Sequence, residues 1–188
     1  MRVIAGLYRS RVLTAPAGQK TRPTSDRLRE TLFNVLAPRI DGTVFLDLYA
    51  GSGAVGIEAL SRGAREAIFV EQAPPALKAI RANLGALGIR GGYALEACGV
   101  GSALRRLGST GRRVDIVFLD PPYEQTDEYE STLALLGDQC SGLLAQGAIV
   151  VAEHAKKNDL IERYGGLIRY RVLKQGDAAL SFYSVFAG

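Results

Sequence analysis

Residues 43–56 decide the fold, because an apolar strand runs directly into a glycine-rich turn and then into a helix. They read Thr43-Val44-Phe45-Leu46-Asp47-Leu48-Tyr49-Ala50-Gly51-Ser52-Gly53-Ala54-Val55-Gly56. The apolar run over 43–48 is typical of a strand that is covered on both faces. Glycines in the turn allow backbone to approach a ligand closely. This order of elements predicts a nucleoside site outside the carboxyl end of the strand.

An acid at the end of the next strand supports the nucleoside interpretation. The apolar run 67–70 ends in Glu71, which can accept hydrogen bonds from both hydroxyls of a ribose. Gly51, Gly53 and Gly56 also match the dinucleotide fingerprint, so a nicotinamide enzyme is an alternative. Asp47 favours a cationic or amine-bearing ligand over a pyrophosphate, and the chain has little room for a separate substrate domain. A glycine turn without a ligand is less favoured.

A second candidate site follows the apolar run 114–119, where the chain reads Asp120-Pro121-Pro122-Tyr123. Asp120 can accept a hydrogen bond from an amino N–H. The prolines fix φ and donate no hydrogen bond, and their carbonyls remain acceptors. Two acceptors would hold both hydrogens of an amine and direct its lone pair at an electrophile, while a base stacks on Tyr123. The alternative is an ordinary turn that starts at Asp-Pro.

Strand and helix patterns alternate from residue 43 onward. The predicted strands are 43–48, 66–70, 92–96, 114–119, 147–153, 167–173 and 180–186. The predicted helices are 54–62, 74–85, 99–107, 128–138 and 156–163. This alternation indicates a mainly parallel sheet with helices on both faces. The loop between the last two strands is too short for a parallel crossover, so one of them runs antiparallel.

Positive charge is concentrated in residues 1–40, which hold eight basic and two acidic residues in a chain of net charge +4. Such asymmetry favours a nucleic acid partner, and a solvated basic face without a partner is the alternative. Two short strands, 3–6 and 11–14, and a helix from Asp26 to about Leu36 are predicted here. The sequence is thus expected to divide into a basic extension, 1–40, that binds nucleic acid and an α/β domain, 41–188, that holds both candidate sites.

Composition indicates the number of domains, the location of the protein and the state of its cysteines. The length of 188 residues suits one domain with a small appendage, and a hydrophobic fraction of 47% is ample for a core. No long apolar or secretory segment is present, which predicts a cytoplasmic protein. Cys98 and Cys140 are expected to be free thiols, and no metal site is expected. His154 is interpreted as a strand-end residue, and a monomer is favoured because one basic face needs no second copy.

These motifs together resemble the bacterial 16S rRNA guanine-N2 methyltransferases of the RsmD type, over nearly the whole chain. The resemblance is carried by Arg2-Val3-Ile4-Ala5-Gly6, by the block from Arg22 to Phe33, by Asp47-Leu48-Tyr49-Ala50-Gly51-Ser52-Gly53, by Glu58-Ala59-Leu60-Ser61-Arg62-Gly63 and by Asp120-Pro121-Pro122-Tyr123. The block from Arg22 to Phe33 is its most specific part. The family implies a Rossmann-like α/β fold with a seven-stranded sheet, mostly parallel with one antiparallel strand, and an N-terminal β-hairpin extension.

The resemblance also implies roles for individual residues. The residues expected to bind S-adenosylmethionine are Asp47, Tyr49, Gly51, Gly53, Glu71, Gln72, Ala97 and Cys98. Those expected to hold the guanine amine are Asp120, Pro121, Pro122 and Tyr123. Those expected to contact rRNA are Arg2, Arg9, Arg11, Arg22, Thr24, Arg27 and Arg29. One departure is Ala97, since related enzymes often place a polar residue there to read the adenine; Glu96 or a backbone group is expected to serve instead.

The implied reaction is methyl transfer to the exocyclic N2 of a guanine in 16S rRNA, within the small ribosomal subunit or an assembly intermediate. Three other functions fit parts of the pattern. The same clamp suits a DNA adenine-N6 methyltransferase, which would be expected to carry a larger recognition region. It also suits a methyltransferase for protein glutamine or a small molecule, against which the basic extension argues. A catalytically silent RNA-binding module would keep the fold without turnover.

Overall fold

The computed structural model describes residues 1–16, 26–122 and 126–185. The chain forms two compact units, Met1–Cys98 and Gly99–Gly188. Predictions for Arg22, Thr24 and Tyr123 lie outside the described residues. Among the helices within the described ranges, none has the length and apolar character needed to cross a membrane.

The first unit contains three parallel strands joined by helices. Its elements are α1 (Asp26–Leu36), β1 (Val44–Leu48), α2 (Ala54–Ser61), β2 (Glu66–Val70), α3 (Pro74–Ala86) and β3 (Tyr93–Glu96). The strand β2 lies between β1 and β3 and pairs with both in parallel. Parallel neighbours need a crossover connection, which α2 and α3 supply. The alternation predicted from the sequence is confirmed, and the helix from Asp26 has the predicted bounds.

Close helix-to-strand packing positions the glycine turn of the first unit. All five residues of β1 are buried, as expected for a continuous apolar strand. Gly56 in α2 lies against Phe69 of β2, and a Cβ at position 56 would lie 2.3 Å from that ring. The third glycine of the motif therefore serves packing between α2 and β2, which leaves Gly51 and Gly53 for the turn itself.

The N-terminal segment, which we define as residues 1–14, packs into the core of the first unit. Val3 and Leu13 are buried in the same cluster as Ile57 and Phe69. The hairpin predicted from strands 3–6 and 11–14 is reduced to a single antiparallel bridge between Arg2 and Val12. Other backbone groups of the segment pair with one another, as in the bond of 2.9 Å from the N–H of Val3 to the carbonyl of Arg11. The N–H groups of Ile4, Ala5 and Tyr8 donate instead to side chains of α2. The division into an extension, 1–40, and a domain, 41–188, stays a prediction.

The second unit is a mixed sheet with one long central strand. Its elements are α4 (Val100–Ser109), β4 (Val114–Leu119), α5 (Thr126–Gly137), a 3-10 turn (Ser141–Leu143), β5 (Leu144–Ala155), β6 (Arg163–Tyr164), β7 (Leu167–Gln175) and β8 (Ala178–Val185). The strand β5 is parallel to β4 and antiparallel to β8, and β8 is in turn antiparallel to β7. Of the last two long strands, β8 is thus the predicted antiparallel one. The two-residue β6 also pairs antiparallel with β7.

The helix predicted over 156–163 is wrong. This part of the chain is a turn followed by β6. Asn158 donates a backbone hydrogen bond of 2.8 Å to the carbonyl of Ala155, which closes the turn. The backbone N–H of Arg169 in β7 donates to the carbonyl of Glu162 at 2.8 Å. The turn at the end of β5 and the bond to β7 use backbone groups that a helix would need.

The predictions for His154, Cys98 and Cys140 are confirmed. His154 lies in β5, is 2% exposed, and its Nε2 lies 2.8 Å from the hydroxyl of Ser181. Burial lowers its pKa below the ordinary value. Cys98 and Cys140 are both free thiols.

Candidate cofactor and amine-binding sites

The turn after β1 holds its shape through three residues with positive φ. These are Tyr49 at 61°, Gly51 at 55° and Gly53 at 77°. The left-handed region is costly for a residue with a side chain, so Tyr49 marks local strain of the kind that concentrates at functional sites. A Cβ on Gly51 would meet only the carbonyl of Tyr49, 3.9 Å away. The backbone at Gly51 is therefore open to close approach by a ligand.

Asp47 is a buried carboxyl group at the start of this turn. It is 1% exposed, and its Oδ2 accepts a hydrogen bond of 2.9 Å from the backbone N–H of Gly56 in α2. Burial is the main cause that raises the pKa of Asp47 to about 7; the Gly56 hydrogen bond opposes this rise and the charge of Glu71 adds to it. A cation placed beside Asp47 would favour its charged form.

Glu71 connects the glycine turn to the beginning of α3. Its Oε2 accepts a hydrogen bond of 2.9 Å from the backbone N–H of Gly51. Its Oε1 accepts from the backbone N–H groups of Gln72 at 2.7 Å and Ala73 at 2.8 Å, just before α3. A carboxylate is favoured at a helix N-terminus. Each carboxylate oxygen can accept two hydrogen bonds, so Oε2 keeps capacity for a ribose hydroxyl.

The end of β3 lies next to Glu71. The carbonyl of Glu96 accepts hydrogen bonds from the backbone N–H of Glu71 at 3.1 Å and from that of Cys98 at 2.9 Å. The side chain of Ala97 is exposed and that of Cys98 is partly exposed. Ala97 offers no polar side-chain group, as the sequence indicated. Glu96 or a backbone group at this edge stays the predicted reader of an adenine.

The first unit thus brings the predicted cofactor residues together in one place. The turn supplies open backbone at Gly51, Asp47 supplies a carboxyl group that favours a cation, and Glu71 supplies a free acceptor position for a ribose. This donor and acceptor set fits the sulfonium nucleoside that the resemblance implies. Within the ranges that the structure describes, no cluster of His, Cys, Asp and Glu could hold a metal ion.

The predicted amine clamp begins where β4 ends, in the second unit. Asp120 is partly exposed, Pro121 is buried and Pro122 is exposed. The hydroxyl of Tyr129, a fully buried residue of α5, lies 3.4 Å from the carbonyl of Pro121 and 3.0 Å from that of Glu153. Tyr129 therefore joins the backbone after β4 to the end of β5, a role that the sequence did not reveal.

The predicted RNA-binding residues separate into exposed and buried groups. The side chains of Arg2, Arg9, Arg11 and Arg27 are exposed. Arg11 also donates a hydrogen bond of 3.1 Å to the carbonyl of Ala86. These four guanidinium groups remain accessible to a polyanion.

Arg29 is fully buried, so the prediction that it contacts rRNA phosphates is wrong. Its Nη2 donates a hydrogen bond of 3.0 Å to Oδ1 of Asp26 and another to the carbonyl of Arg2. Its Nε lies 3.8 Å from Oε2 of Glu58 in α2. The guanidinium therefore joins α1, α2 and the N-terminal segment inside the first unit.

Glu58 is a further residue whose role the sequence did not reveal. Its two carboxylate oxygens accept hydrogen bonds from the backbone N–H groups of Ile4 at 2.7 Å and Ala5 at 3.0 Å, and Oε1 accepts another from Nε of Arg62 at 2.7 Å. Its side chain is fully buried. The sequence could have indicated this role, because Glu58 is an acid among the apolar residues of α2. A buried acid needs hydrogen-bonding or charged partners.

Comparisons with known proteins agree with the fold and show the family. The family described as Conserved hypothetical protein 95 matches residues 1–184. The Bacillus subtilis (strain 168) protein YlbH is 36% identical, with 97% of this chain and 98% of that protein covered. Ribosomal RNA small subunit methyltransferase D of Escherichia coli (strain K12) is also 36% identical, with 93% and 90% covered.

Solved structures share the architecture. The Escherichia coli protein yhhF superposes with a TM-score of 0.84 at 34% identity, with 100% of this chain and 99% of that chain covered. An RNA methyltransferase from Salinibacter ruber in complex with S-adenosyl-L-homocysteine superposes with a TM-score of 0.66 at 15% identity, with 88% and 95% covered. At that identity, the second likeness shows the fold alone. The α/β fold class predicted from the sequence is confirmed.

Proposed function

This chain belongs to the family described as Conserved hypothetical protein 95, and we propose that it transfers a methyl group from S-adenosylmethionine to the exocyclic N2 of a guanine in 16S rRNA. The observation that carries the proposal is the carboxylate of Glu71, which is held by the N–H of Gly51 beside open backbone and a buried Asp47. The relative named ribosomal RNA small subunit methyltransferase D, which matches nearly the full length of this chain, supports the choice of substrate.

The cofactor residues of the first unit match the parts of the donor. S-adenosylmethionine supplies an electrophilic methyl group on a positively charged sulfur. Asp47 would hold the cationic methionine end, where a positive charge would lower the pKa of its carboxyl group. Oε2 of Glu71, which accepts from the N–H of Gly51, would also accept from a ribose hydroxyl. The open backbone at Gly51 lets the nucleoside approach the turn.

The residues after β4 hold the amine that is methylated. The N2 amine of guanine is conjugated with its ring and is a poor nucleophile. Asp120 accepts one N–H and a backbone carbonyl of the Pro121-Pro122 pair accepts the other, which directs the nitrogen lone pair away from the ring. Tyr123 stacks on the base. Positioning of this kind can supply up to about 7–11 kcal/mol of barrier reduction.

The basic residues near the N-terminus bind the RNA backbone. The exposed guanidinium groups of Arg2, Arg9, Arg11 and Arg27, with Arg22 and Thr24, contact phosphates, and their number makes binding dependent on salt. The target guanine must leave any stack to reach the clamp, which favours a loop or bulge of rRNA. The substrate is the small subunit or an assembly intermediate, and the enzyme acts as a monomer.

The substrate class can be tested by transfer of a labelled methyl group. The purified protein is incubated with labelled S-adenosylmethionine and, in parallel, with small ribosomal subunits from cells that lack the gene, naked 16S rRNA, duplex DNA and ribosomal protein. We expect label in the 16S rRNA of the subunits. Label in DNA or in protein instead would replace the proposal with one of the other methyltransferase functions. Cofactor binding without transfer to any substrate would indicate a silent RNA-binding module.

A further inference from the structure

A buried side-chain amide joins the N-terminal segment to the glycine turn. Asn83 in α3 is 2% exposed. Its Oδ1 accepts a hydrogen bond of 2.8 Å from the backbone N–H of Thr14, and its Nδ2 donates to the carbonyl of Thr14 at 3.0 Å. Nδ2 also donates to the carbonyl of Ser52 at 2.9 Å. Because one partner is a donor and two are carbonyls, the orientation of the amide is fixed.

Ser52 is the residue between Gly51 and Gly53, so Asn83 acts on the centre of the turn. Both hydrogens of its amide nitrogen are used, one toward the turn and one toward the segment. The hydroxyl of Ser52 also lies 3.6 Å from the sulfur of Met1, at the start of the segment. The carbonyl of Ser52 is thus oriented by a group that is itself held by the N-terminal segment.

The N-terminal segment has a second anchor at the last residue of α2, the helix that follows the turn. The hydroxyl of Ser61 accepts a hydrogen bond from the N–H of Tyr8 at 2.9 Å and donates to the carbonyl of Ala5 at 2.6 Å. Gly6 lies between these contacts with φ at +81°, and a Cβ there would lie 1.8 Å from the carbonyl oxygen of Ser61. Any side chain at position 6 therefore prevents the observed docking.

From these contacts we propose that Asn83 is a positioning residue through which the docked N-terminal segment holds the glycine turn in its cofactor-binding conformation. The inference rests on the proposed function, because it takes the turn to be the cofactor site. Its consequence is that the basic segment, which meets RNA in that function, is also a structural support of the cofactor site. Loss of docking at Gly6 then weakens cofactor binding even though Gly6 does not contact the turn.

Two substitutions interrupt the connection at different points. Asn83→Asp keeps the acceptor for the Thr14 N–H but removes both donors, including the one to Ser52. Gly6→Ala blocks docking on Ser61 and leaves Asn83 intact. Gly88→Ala is the matched control, because Gly88 also has a positive φ of +70° but no neighbouring atom within 4 Å of its Cβ position. It introduces the same kind of backbone strain without undocking the segment.

The test is calorimetric titration of the full chain with S-adenosyl-L-homocysteine. We expect the Kd to rise about tenfold in Asn83→Asp and in Gly6→Ala, from loss of hydrogen bonds that orient the turn. The Gly88→Ala variant should bind like the wild type. The double variant Gly6→Ala with Asn83→Asp should lose no more affinity than the weaker-binding single variant, since both changes interrupt one connection.

The outcomes separate this inference from the proposed function. A wild-type protein that does not bind the probe overturns both. A wild-type protein that binds, with affinity unchanged in the two variants, overturns this inference alone, as do losses that add fully in the double variant. A destabilised protein with an intact turn would not give the non-additive pattern. If Asn83→Asp does not fold, Gly6→Ala carries the test, and wild-type affinity in that variant overturns the inference.

Discussion

The backbone N–H of Gly51 donates a hydrogen bond of 2.9 Å to Oε2 of Glu71, so the turn after β1 and the end of β2 share one carboxylate. The other oxygen is bound by two N–H groups before α3. Three backbone donors thus depend on a single side chain. In the proposed function the same carboxylate accepts from the ribose, so we expect its replacement to weaken cofactor binding.

We expect Glu71→Gln to raise the Kd for S-adenosyl-L-homocysteine about tenfold in calorimetry. A glutamine has only one oxygen, so its NH₂ group must face N–H donors on one side of the site. Glu30→Gln is the control, because Glu30 is an exposed acid of α1 in the same unit. Equal affinity in the wild type and in Glu71→Gln would show that Glu71 does not hold the ribose.

The pKa of Asp47 predicts how stability depends on pH. In the folded protein burial raises the pKa from its ordinary value of 3.8 to about 7. Between these two values the folded state binds the proton and the unfolded state does not, so stability falls as pH rises through this window. The rise to about 7 corresponds to roughly 4 kcal/mol at most.

Denaturant unfolding of the wild type and of Asp47→Asn at pH 4.5 and at pH 8 measures this contribution. The free energy of unfolding of the wild type minus that of the variant should be larger at pH 4.5 than at pH 8, because the asparagine does not ionise. A difference that stays constant with pH would contradict the raised pKa. A difference that grows with pH would indicate that the ionised carboxylate is the favoured form.

Arg27 and Arg29 form a matched pair in α1, one exposed and one buried. We expect Arg29→Ala to lower the free energy of unfolding by about 3 kcal/mol, because it removes one partner of a buried ion pair with Glu58. Arg27→Ala should leave stability nearly unchanged but weaken binding to small-subunit rRNA, with the slope of log affinity against log salt reduced by about 1. Denaturant unfolding and RNA binding at several salt concentrations measure the two effects.

One result for each variant would contradict these predictions. A stable Arg29→Ala protein with weakened RNA binding would restore Arg29 as a phosphate contact. An unchanged salt slope in Arg27→Ala would remove Arg27 from the RNA-binding surface.

Tyr129 supports the backbone that is proposed to accept the guanine amine. We expect Tyr129→Phe to lower kcat for rRNA methylation about fivefold, since the hydroxyl that lies between the carbonyls of Pro121 and Glu153 is lost. The Kd for S-adenosyl-L-homocysteine should not change. Tyr170→Phe, at an exposed position of β7, is the control. A change in cofactor affinity with unchanged kcat would contradict this role.

The strands could be predicted because their sequences are continuous apolar runs between turn signals. Val114–Leu119 has the predicted bounds, and Val44–Leu48 lies within one residue of them. Both are strands whose residues are almost all buried, so hydrophobicity alone reveals them. The glycine turn and Glu71 could be predicted for the same reason, since they directly follow such strands.

Contacts between elements could not be predicted from local patterns. The segment 156–163 has the composition of an exposed helix, but its backbone groups are used by Ala155 and Arg169. Arg29 carries a charge and was expected to contact rRNA, yet it is buried because Glu58 of another helix supplies the compensating charge. Asn83 and Tyr129 are buried residues of helices whose hydrogen-bond partners lie in other elements. The partners of Asn83 are in the N-terminal segment and the glycine turn, and those of Tyr129 are in β5 and the backbone after β4.

Identification of the product nucleoside is the sharpest test of methyl transfer to guanine N2 by the clamp at Asp120. Small subunits from cells that lack the gene are incubated with labelled S-adenosylmethionine and either wild-type protein or Asp120→Ala, and the 16S rRNA is digested to nucleosides for mass spectrometry. We expect labelled N2-methylguanosine with the wild type and none with Asp120→Ala, although that variant still binds S-adenosyl-L-homocysteine. Label on any other nucleoside, or undiminished N2-methylguanosine from Asp120→Ala, would contradict the account.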